Sequence, residues 1–244
     1  MLDPPPLLEL DKLCKRFGAL RVTEGLSLSI AEGEALGVLG PNGAGKSTLF
    51  NLISGDLRPD SGRVHFAAAD ITALPAHARC RGGIGRSYQI PHPFAKMTVF
   101  ENLVVGAAFG AGERESESYE RCAGILEDTG LIDKANRLAG SLPLLDRKRL
   151  ELARALATKP RLLLLDEIAG GLTEAECHLL VETIRRLRSQ GVSIIWIEHV
   201  VQALLSIVDR LIVIDFGSLI AEGQPERVMN DPKVREVYMG ISGA

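Results

Sequence analysis

The run Gly40-Pro41-Asn42-Gly43-Ala44-Gly45-Lys46-Ser47-Thr48 has the residue types and the spacing of a phosphate-gripping loop, G-x-x-x-x-G-K-[ST]. An apolar run at 35–39 precedes it, and Leu49, Phe50, Leu52 and Ile53 continue it at helical spacing. That strand–loop–helix setting separates the motif from a chance glycine-rich turn. The glycines let successive backbone N–H groups turn inward around phosphate oxygens, and the helix N-terminus adds its positive end. Lys46 would reach the β- and γ-phosphates, and the Ser47 hydroxyl would ligate Mg²⁺. The stretch predicts a nucleoside triphosphate site.

A second constellation lies further along. Leu162-Leu163-Leu164-Leu165-Asp166-Glu167 reads as a buried strand ending in two carboxylates. In a parallel sheet the functional groups gather at the carboxyl ends of the strands, which puts these acids beside the phosphate loop. Asp166 would then hold Mg²⁺, directly or through water, and Glu167 would orient or deprotonate an attacking water. Alone, such a pair is more often a helix cap or a solvated turn; the loop at Gly40 favours the chemical reading. His199, after the apolar run 192–197, and Gln89, after Ile84-Gly85-Arg86-Ser87-Tyr88, would each be unremarkable by itself.

The elements that must position these groups follow from periodicity and caps. Residues 7–30 read as two short strands turning at Phe17-Gly18-Ala19, with Leu26, Leu28 and Ile30 alternating against Ser27 and Ser29. Gly55 would stop the helix that begins at Lys46, and a strand near 63–67 and a short helix from Pro75 come next. Thr98 and Glu101 form a capping box that opens a helix to about Phe109. Further helices are expected from the charged stretch 113–120 to about Thr129, and from about Asp146 to Thr158. Strands are scarce between 90 and 158, so this stretch reads as a helical insert. The β/α alternation then resumes with strand 161–165, helix 173–189 capped by Thr173 and Glu176, strand 192–197, helix 200–208 and strand 210–215. Near-continuous apolar strands alternating with helices imply a parallel sheet covered on both faces.

Bulk properties narrow the classes. The chain has 244 residues and a formal net charge of −3, which gives no electrostatic case for nucleic acid as a partner. Aromatic residues make up only 5%, too few for a base-stacking platform. Cys14, Cys80, Cys122 and Cys177 lie far apart and read as cytosolic thiols. The longest apolar runs are strand-length, and Met1-Leu2-Asp3-Pro4-Pro5-Pro6 lacks the basic start of a signal peptide. A soluble, intracellular chain whose membrane role comes through a partner is expected.

Loop, Gln, helical insert, Asp-Glu strand and His, in that order, resemble the ATPase subunits of ABC transporters over essentially the whole chain. The resemblance implies an α/β P-loop NTPase fold, one domain over residues 1–244. It has a parallel core sheet, an N-terminal antiparallel β part and an inserted helical subdomain at 90–158. It also implies ATP and Mg²⁺ as ligands. It assigns Phe17 the adenine platform, residues 40–48 the phosphates, and Ser47, Gln89 and Asp166 the metal. Glu167 becomes the catalytic base, His199 the γ-phosphate clamp that orients it, and Gln89 the sensor at the hinge to the insert. The implied partners are integral-membrane permeases, a second ATPase subunit and, indirectly, a substrate-binding protein, on the cytoplasmic face of the membrane.

Three passages are similar to the subgroup that takes up branched-chain and hydrophobic amino acids. They are Arg86-Ser87-Tyr88-Gln89 with Met97-Thr98-Val99-Phe100-Glu101-Asn102-Leu103; Ala169-Gly170-Gly171-Leu172-Thr173; and the tail from Ile220-Ala221-Glu222-Gly223 through Asp231-Pro232 to Tyr238-Met239-Gly240. A soluble cassette ATPase of other service, and an ATP-gated clamp with little hydrolysis, are the alternatives.

One passage departs from the family. Where it carries Leu-Ser-Gly-Gly-Gln, a signature loop that acts on the other subunit's γ-phosphate, this chain has Leu142-Pro143-Leu144-Leu145-Asp146. Pro143 has neither hydroxyl nor N–H, and two leucines replace the glycines that permit close backbone approach. Asp146 suits a helix N-cap but brings a negative charge near a docking phosphate. Either the helix N-terminus suffices, or the chain pairs with a different ATPase whose intact signature completes this chain's site.

Overall fold

The computed structural model describes residues 5–239, so Met1 to Pro4 and Gly240 onward lie outside the described residues. The strands are β1 (Leu8–Phe17), β2 (Leu20–Ile30), β3 (Ala35–Leu39), β4 (Ser61–Phe66), β5 (Ala69–Asp70), β6 (Ile84–Ser87), β7 (Leu162–Asp166), β8 (Ser193–Ile197), β9 (Arg210–Asp215) and β10 (Ser218–Gly223). The α-helices are α1 (Lys46–Ser54), α2 (Ala76–Arg81), α3 (Val99–Val105), α4 (Glu115–Asp128), α5 (Leu144–Ala157), α6 (Glu174–Ser189), α7 (Val201–Leu205), α8 (Pro225–Met229) and α9 (Pro232–Met239).

Two sheets result. One is antiparallel, in the order β2-β1-β4-β5, and the other has six strands in the order β10-β9-β3-β8-β7-β6. In the second, β9, β3, β8, β7 and β6 run parallel, while β10 returns antiparallel to β9. Strand period explains how the sheet is covered. Leu162 and Leu164 of β7 join Leu36, Val38, Ile195 and Ile197 in a core shared with α1 and the antiparallel sheet. Leu163 and Leu165 point the other way, with Ile194, Trp196, Leu211 and Val213, into a core closed by α5, α6 and α7. Each central strand is therefore buried on both faces, which is why these strands are uninterrupted apolar runs.

Between β6 and β7 the chain is mainly helical, and α3, α4 and α5 enclose their own small core around Val99, Leu103, Leu126 and Leu150. The expected helix to Phe109 proves to be α3 followed by a π-helical turn, Gly106–Ala111, that ends at Gly112 with φ 72°. Two glycines allow this close passage: a Cβ at Gly106 would lie 2.9 Å from the Arg154 carbonyl, and one at Gly110 would lie 2.5 Å from the Thr158 side chain. Helix α5 starts earlier than expected. Pro143, not Asp146, stands at its N-cap, with the extended backbone (φ −67°, ψ 168°) usual at that position and no side-chain cap bond. The helix expected at 200–208 is shorter, Val201–Leu205, and the strand expected near 63–67 runs Ser61–Phe66.

The far end of α1 is closed by an unexpected group. Arg79 is 1% exposed and spends its guanidinium on backbone carbonyls alone. Nη1 donates to Leu52 O (2.6 Å) and Ile53 O (3.0 Å), Nη2 to Thr72 O (3.0 Å) and Nε to Leu74 O (3.0 Å). A cation at a helix C-terminus complements both the unpaired carbonyls and the macrodipole. Arg79→Met keeps the stem but strands these carbonyls, and should lower the unfolding free energy by about 3 kcal/mol in denaturant titrations.

Candidate functional site

The loop 40–48 bridges β3 and α1, and two of its glycines sit where a Cβ would collide with backbone. Gly40 has φ 156°, and a Cβ there would lie 2.2 Å from Ile214 O; at Gly45, φ 102°, one would lie 2.7 Å from Val22 O. The loop is pinned from outside by Gly217 N–H, which donates to Ala44 O (3.0 Å). Lys46, 6% exposed, folds back so that Nζ donates to Gly40 O (2.7 Å) and Pro41 O (2.9 Å). Burial pulls the Lys46 ammonium pKa down, against the opposing pull of Glu167 and Asp166. Ser47 and Asn42 are exposed, Thr48 is half-buried, and Gly45 caps α1 without a side-chain bond, leaving first-turn N–H groups free. These are the features of an anion cradle.

The parallel register brings the other groups to the same edge. Asp166 ends β7 and pairs in register with Ile197 of β8. Its Oδ2 accepts from Arg86 Nη2 at 2.9 Å, with both side chains 8% exposed. Burial pushes the Asp166 carboxyl up, and the Arg86 hydrogen bond pulls it back. Glu167 follows with φ 47°, a left-handed conformation that costs a non-glycine residue energy and turns the chain sharply off the strand. Its backbone is held by Glu167 N–H to Ile197 O (2.9 Å). Its carboxylate is grasped on both sides. Gln89 Nε2 donates to Oε2, and His199 Nε2 lies 2.8 Å from Oε1. Gln89, Glu167 and His199 thus form one hydrogen-bonded cluster, next to the Asp166–Arg86 pair. Phe17 stands apart at the β1–β2 turn, 48% exposed with Lys15 Nζ 5.8 Å from its ring centre.

Sequence reasoning passed over three buried charges here. Arg86 is one. Glu198, 1% exposed, accepts from Ala169 N–H (2.9 Å) and His199 N–H (2.9 Å), tying the loop after Glu167 to the segment that carries His199. Lys148 of α5, 4% exposed, reaches the Glu167 carbonyl at 3.4 Å, and burial lowers its ammonium pKa while Glu198 and Glu167 raise it. Glu198 carried one signal in the sequence, a charge directly after an apolar strand; Lys148, inside the charged run Asp146-Arg147-Lys148-Arg149, carried none. The segment after Gln89 leaves the core for the insert: Phe94 N–H donates to Asn102 Oδ1 (2.9 Å), and Arg154 Nη1 to His92 O (2.9 Å). A groove of about 360 Å³ lies alongside, lined among others by Tyr88, Phe94, Phe109 and Arg154.

The loop 142–146 presents less charge than its sequence suggested. Asp146 is 3% exposed and turned into the insert, where Lys134 Nζ (2.5 Å) and Arg149 Nη1 (3.9 Å) face it. Leu144 is 45% exposed at the start of α5.

Residues 23–170 match the ABC transporter family. This chain belongs to that family. Residues 218–243 match in addition the C-terminal region of branched-chain amino acid ATP-binding cassette transporters. The chain is 37% identical to the high-affinity branched-chain amino acid transport ATP-binding protein BraF of Pseudomonas aeruginosa, over 96% of this chain and 98% of that protein. It is 35% identical to the probable branched-chain amino acid transport ATP-binding protein LivG of Methanocaldococcus jannaschii, over 98% and 100% of the two chains. Among solved structures it superimposes on the ADP conformation of MJ1267, an ATP-binding cassette of an ABC transporter, with a TM-score of 0.89 and 34% identity over 98% of this chain and 100% of that one. The protein is thus an ATP-binding, ATP-hydrolysing cassette whose reaction is coupled to transport. Among the described residues no helix is long and apolar enough to cross a membrane.

Glu198→Ala would leave the Ala169 and His199 N–H groups unpaired in a buried setting. It should lower stability by about 2–3 kcal/mol, read as an earlier denaturant midpoint at unchanged slope.

Proposed function

We propose that this ATPase energises an importer of branched-chain amino acids or related small organic solutes, working with permeases and a second ATPase subunit, identical or different, and served indirectly by a substrate-binding protein. The cluster Gln89–Glu167–His199 carries the reading at this chain's own site. The similarity to BraF and LivG and the matching tail at 218–243 support the cargo class.

ATP would be held by the N–H groups of residues 40–48, with Lys46 released from the Gly40 and Pro41 carbonyls to the phosphates, and Phe17 against the adenine. The donor set present fits Mg²⁺, a hard cation that prefers oxygen ligands and keeps phosphate and water partners: the exposed Ser47 hydroxyl, the Asp166 carboxylate and the Gln89 side-chain oxygen would hold it. When bound, the ion neutralises developing charge on the phosphates. Glu167 would accept a proton from the attacking water. His199, 2.8 Å away, fixes the direction of that carboxylate and would reach the γ-phosphate. Gln89 donates to Glu167 at the point where the chain leaves for His92 and Phe94, so rotation of the insert changes the grip on the base.

The second subunit would close on the cassette through the loop 142–146. With Asp146 neutralised inside the insert, the start of α5 offers first-turn N–H groups and the positive helix end without an opposing carboxylate. That supports a working trans contact despite the missing serine and glycines. On the membrane side, the groove beside Phe94 would receive a permease helix.

Glu167→Gln should lower kcat by about 10²–10⁴-fold while nucleotide affinity stays near the parent value, a split read by phosphate release against fluorescent-ATP binding. Phe94→Asp should abolish uptake in vesicles carrying the full transporter yet leave ATP binding by the purified chain intact. Unchanged uptake would place the permease contact elsewhere.

A further inference from the structure

The Arg86 guanidinium joins the groove to the nucleotide edge. Nη2 donates to Asp166 Oδ2 at 2.9 Å. Nη1 is shared among Asn51 Oδ1 (2.6 Å), Ser54 Oγ (3.2 Å) and Asp56 Oδ2 (3.2 Å). The planar group lies near two aromatic rings, with Cζ 5.6 Å from the Phe50 ring centre and 4.8 Å from that of Tyr88. Its Nε is buried without a hydrogen-bond partner among the described residues. One cation thus serves two carboxylates that face different places. The Asp166 side chain, 8% exposed, belongs to the nucleotide edge; the Asp56 side chain, 37% exposed, belongs to the groove, which Ser54, Arg86 and Tyr88 also line.

A guanidinium spans this distance because its donors are fixed in a planar fork; an ammonium would be a point charge at one end or the other. The two ion pairs also compete. Charge withdrawn from Nη1 on the groove side leaves Arg86 bound to Asp166 alone, and a carboxylate held tightly by an internal cation is a poorer ligand for a second one.

We propose that Arg86 is a positioning residue shared between Asp166 and Asp56, through which occupation of the groove sets how available Asp166 is to Mg²⁺. A cationic side chain entering the groove and pairing with Asp56 tightens the Arg86–Asp166 bond and weakens the metal site. Its withdrawal reverses the effect. The inference rests on the reading of Asp166 as a Mg²⁺ ligand, and it adds a route from the groove to the metal that runs beside the Gln89 connection and does not pass through it.

The test is a Mg²⁺ titration of the full chain with bound N-methylanthraniloyl-ATP, whose fluorescence reports binding without turnover. Asp56→Asn removes the groove-side charge and should raise the Mg²⁺ midpoint, whereas Arg86→Gln removes the competing cation and should lower it, each by about fivefold. Arg86→Lys, whose ammonium can stand beside Asp166 but cannot also span to Asp56, should raise the midpoint as Asp56→Asn does. Opposite signs for Asp56→Asn and Arg86→Gln cannot come from general loosening of the fold, which would move both variants the same way. Midpoints that stay put, or that shift together, overturn the proposal. If Arg86→Gln does not fold, Asp56→Asn at an exposed carboxylate decides alone, because a midpoint that is unchanged or lowered there is equally fatal. Asp166→Asn separates the two layers: a Mg²⁺ midpoint untouched by that change would sink the metal assignment itself.

Discussion

Everything at the nucleotide edge depends on the register of four parallel strands. Val38 of β3 pairs with Ile197 of β8, Asp166 of β7 pairs with the same Ile197, and Ser87 of β6 pairs with Leu165. The strands therefore end at one level. The residues just beyond their carboxyl ends emerge side by side: Gly40 after β3, Gln89 after β6, Glu167 after β7, Glu198 and His199 after β8. A slip of one residue in any pair would carry side chains fitted to one core into the other, so the packing on both faces of the sheet is also what aligns the chemistry. The left-handed turn at Glu167 completes the alignment by lifting its carboxylate off the strand toward Gln89 and His199.

The same edge gathers charges that a low-dielectric setting disfavours. Burial raises the Asp166 carboxyl pKa and lowers those of the Lys46 and Lys148 ammonium groups, each toward its neutral form. The charges survive because each has a partner: Arg86 for Asp166, loop carbonyls for Lys46, and the Glu167 carbonyl for Lys148. Such partners are replaceable by better ones. A polyphosphate offers the Lys46 ammonium opposite charge, which two neutral carbonyls do not.

Much of this was legible in the chain. The glycine loop, the run Leu162 to Glu167, and the capping boxes at Thr98 and Thr173 are local patterns whose physics needs no tertiary context, and the structure has them where the patterns lie. The resemblance added Gln89 and His199, which no local rule would have singled out, and the structure brings both onto Glu167. Arg79, Arg86, Lys148 and Glu198 were not legible. A charged residue in sequence reads as a solvated one, and only three-dimensional pairing shows that these are buried against carbonyls, N–H groups and carboxylates from distant segments. Asp146 misled in the same direction. As an acid at a helix start it read as a cap, but Lys134, from a separate turn, draws it inside. The π-turn at 106–111 escaped for a related reason, since it arises from how closely Gly106 and Gly110 approach α5 and the chain just beyond it, not from any preference of the segment itself.

These unforeseen contacts also bear on how the helical insert is tied to the core. The segment from Tyr88 to Phe94 has its start fixed to the core by Gln89 on Glu167 and its end fixed to the insert by Asn102 and Arg154. Lys148 supplies a second tie, from α5 back to the Glu167 carbonyl. The insert has a core of its own around Val99, Leu103, Leu126 and Leu150, so α3, α4 and α5 have the packing to move together. Both ties converge on one residue, Glu167, one at its backbone and the other at its side chain. A rigid unit held at such a point cannot turn without altering the geometry of that carboxylate, and a change in the carboxylate's partners cannot leave the insert's angle unaffected. The orientation of the insert and the geometry of the Glu167 carboxylate are thus linked by where these hydrogen bonds attach.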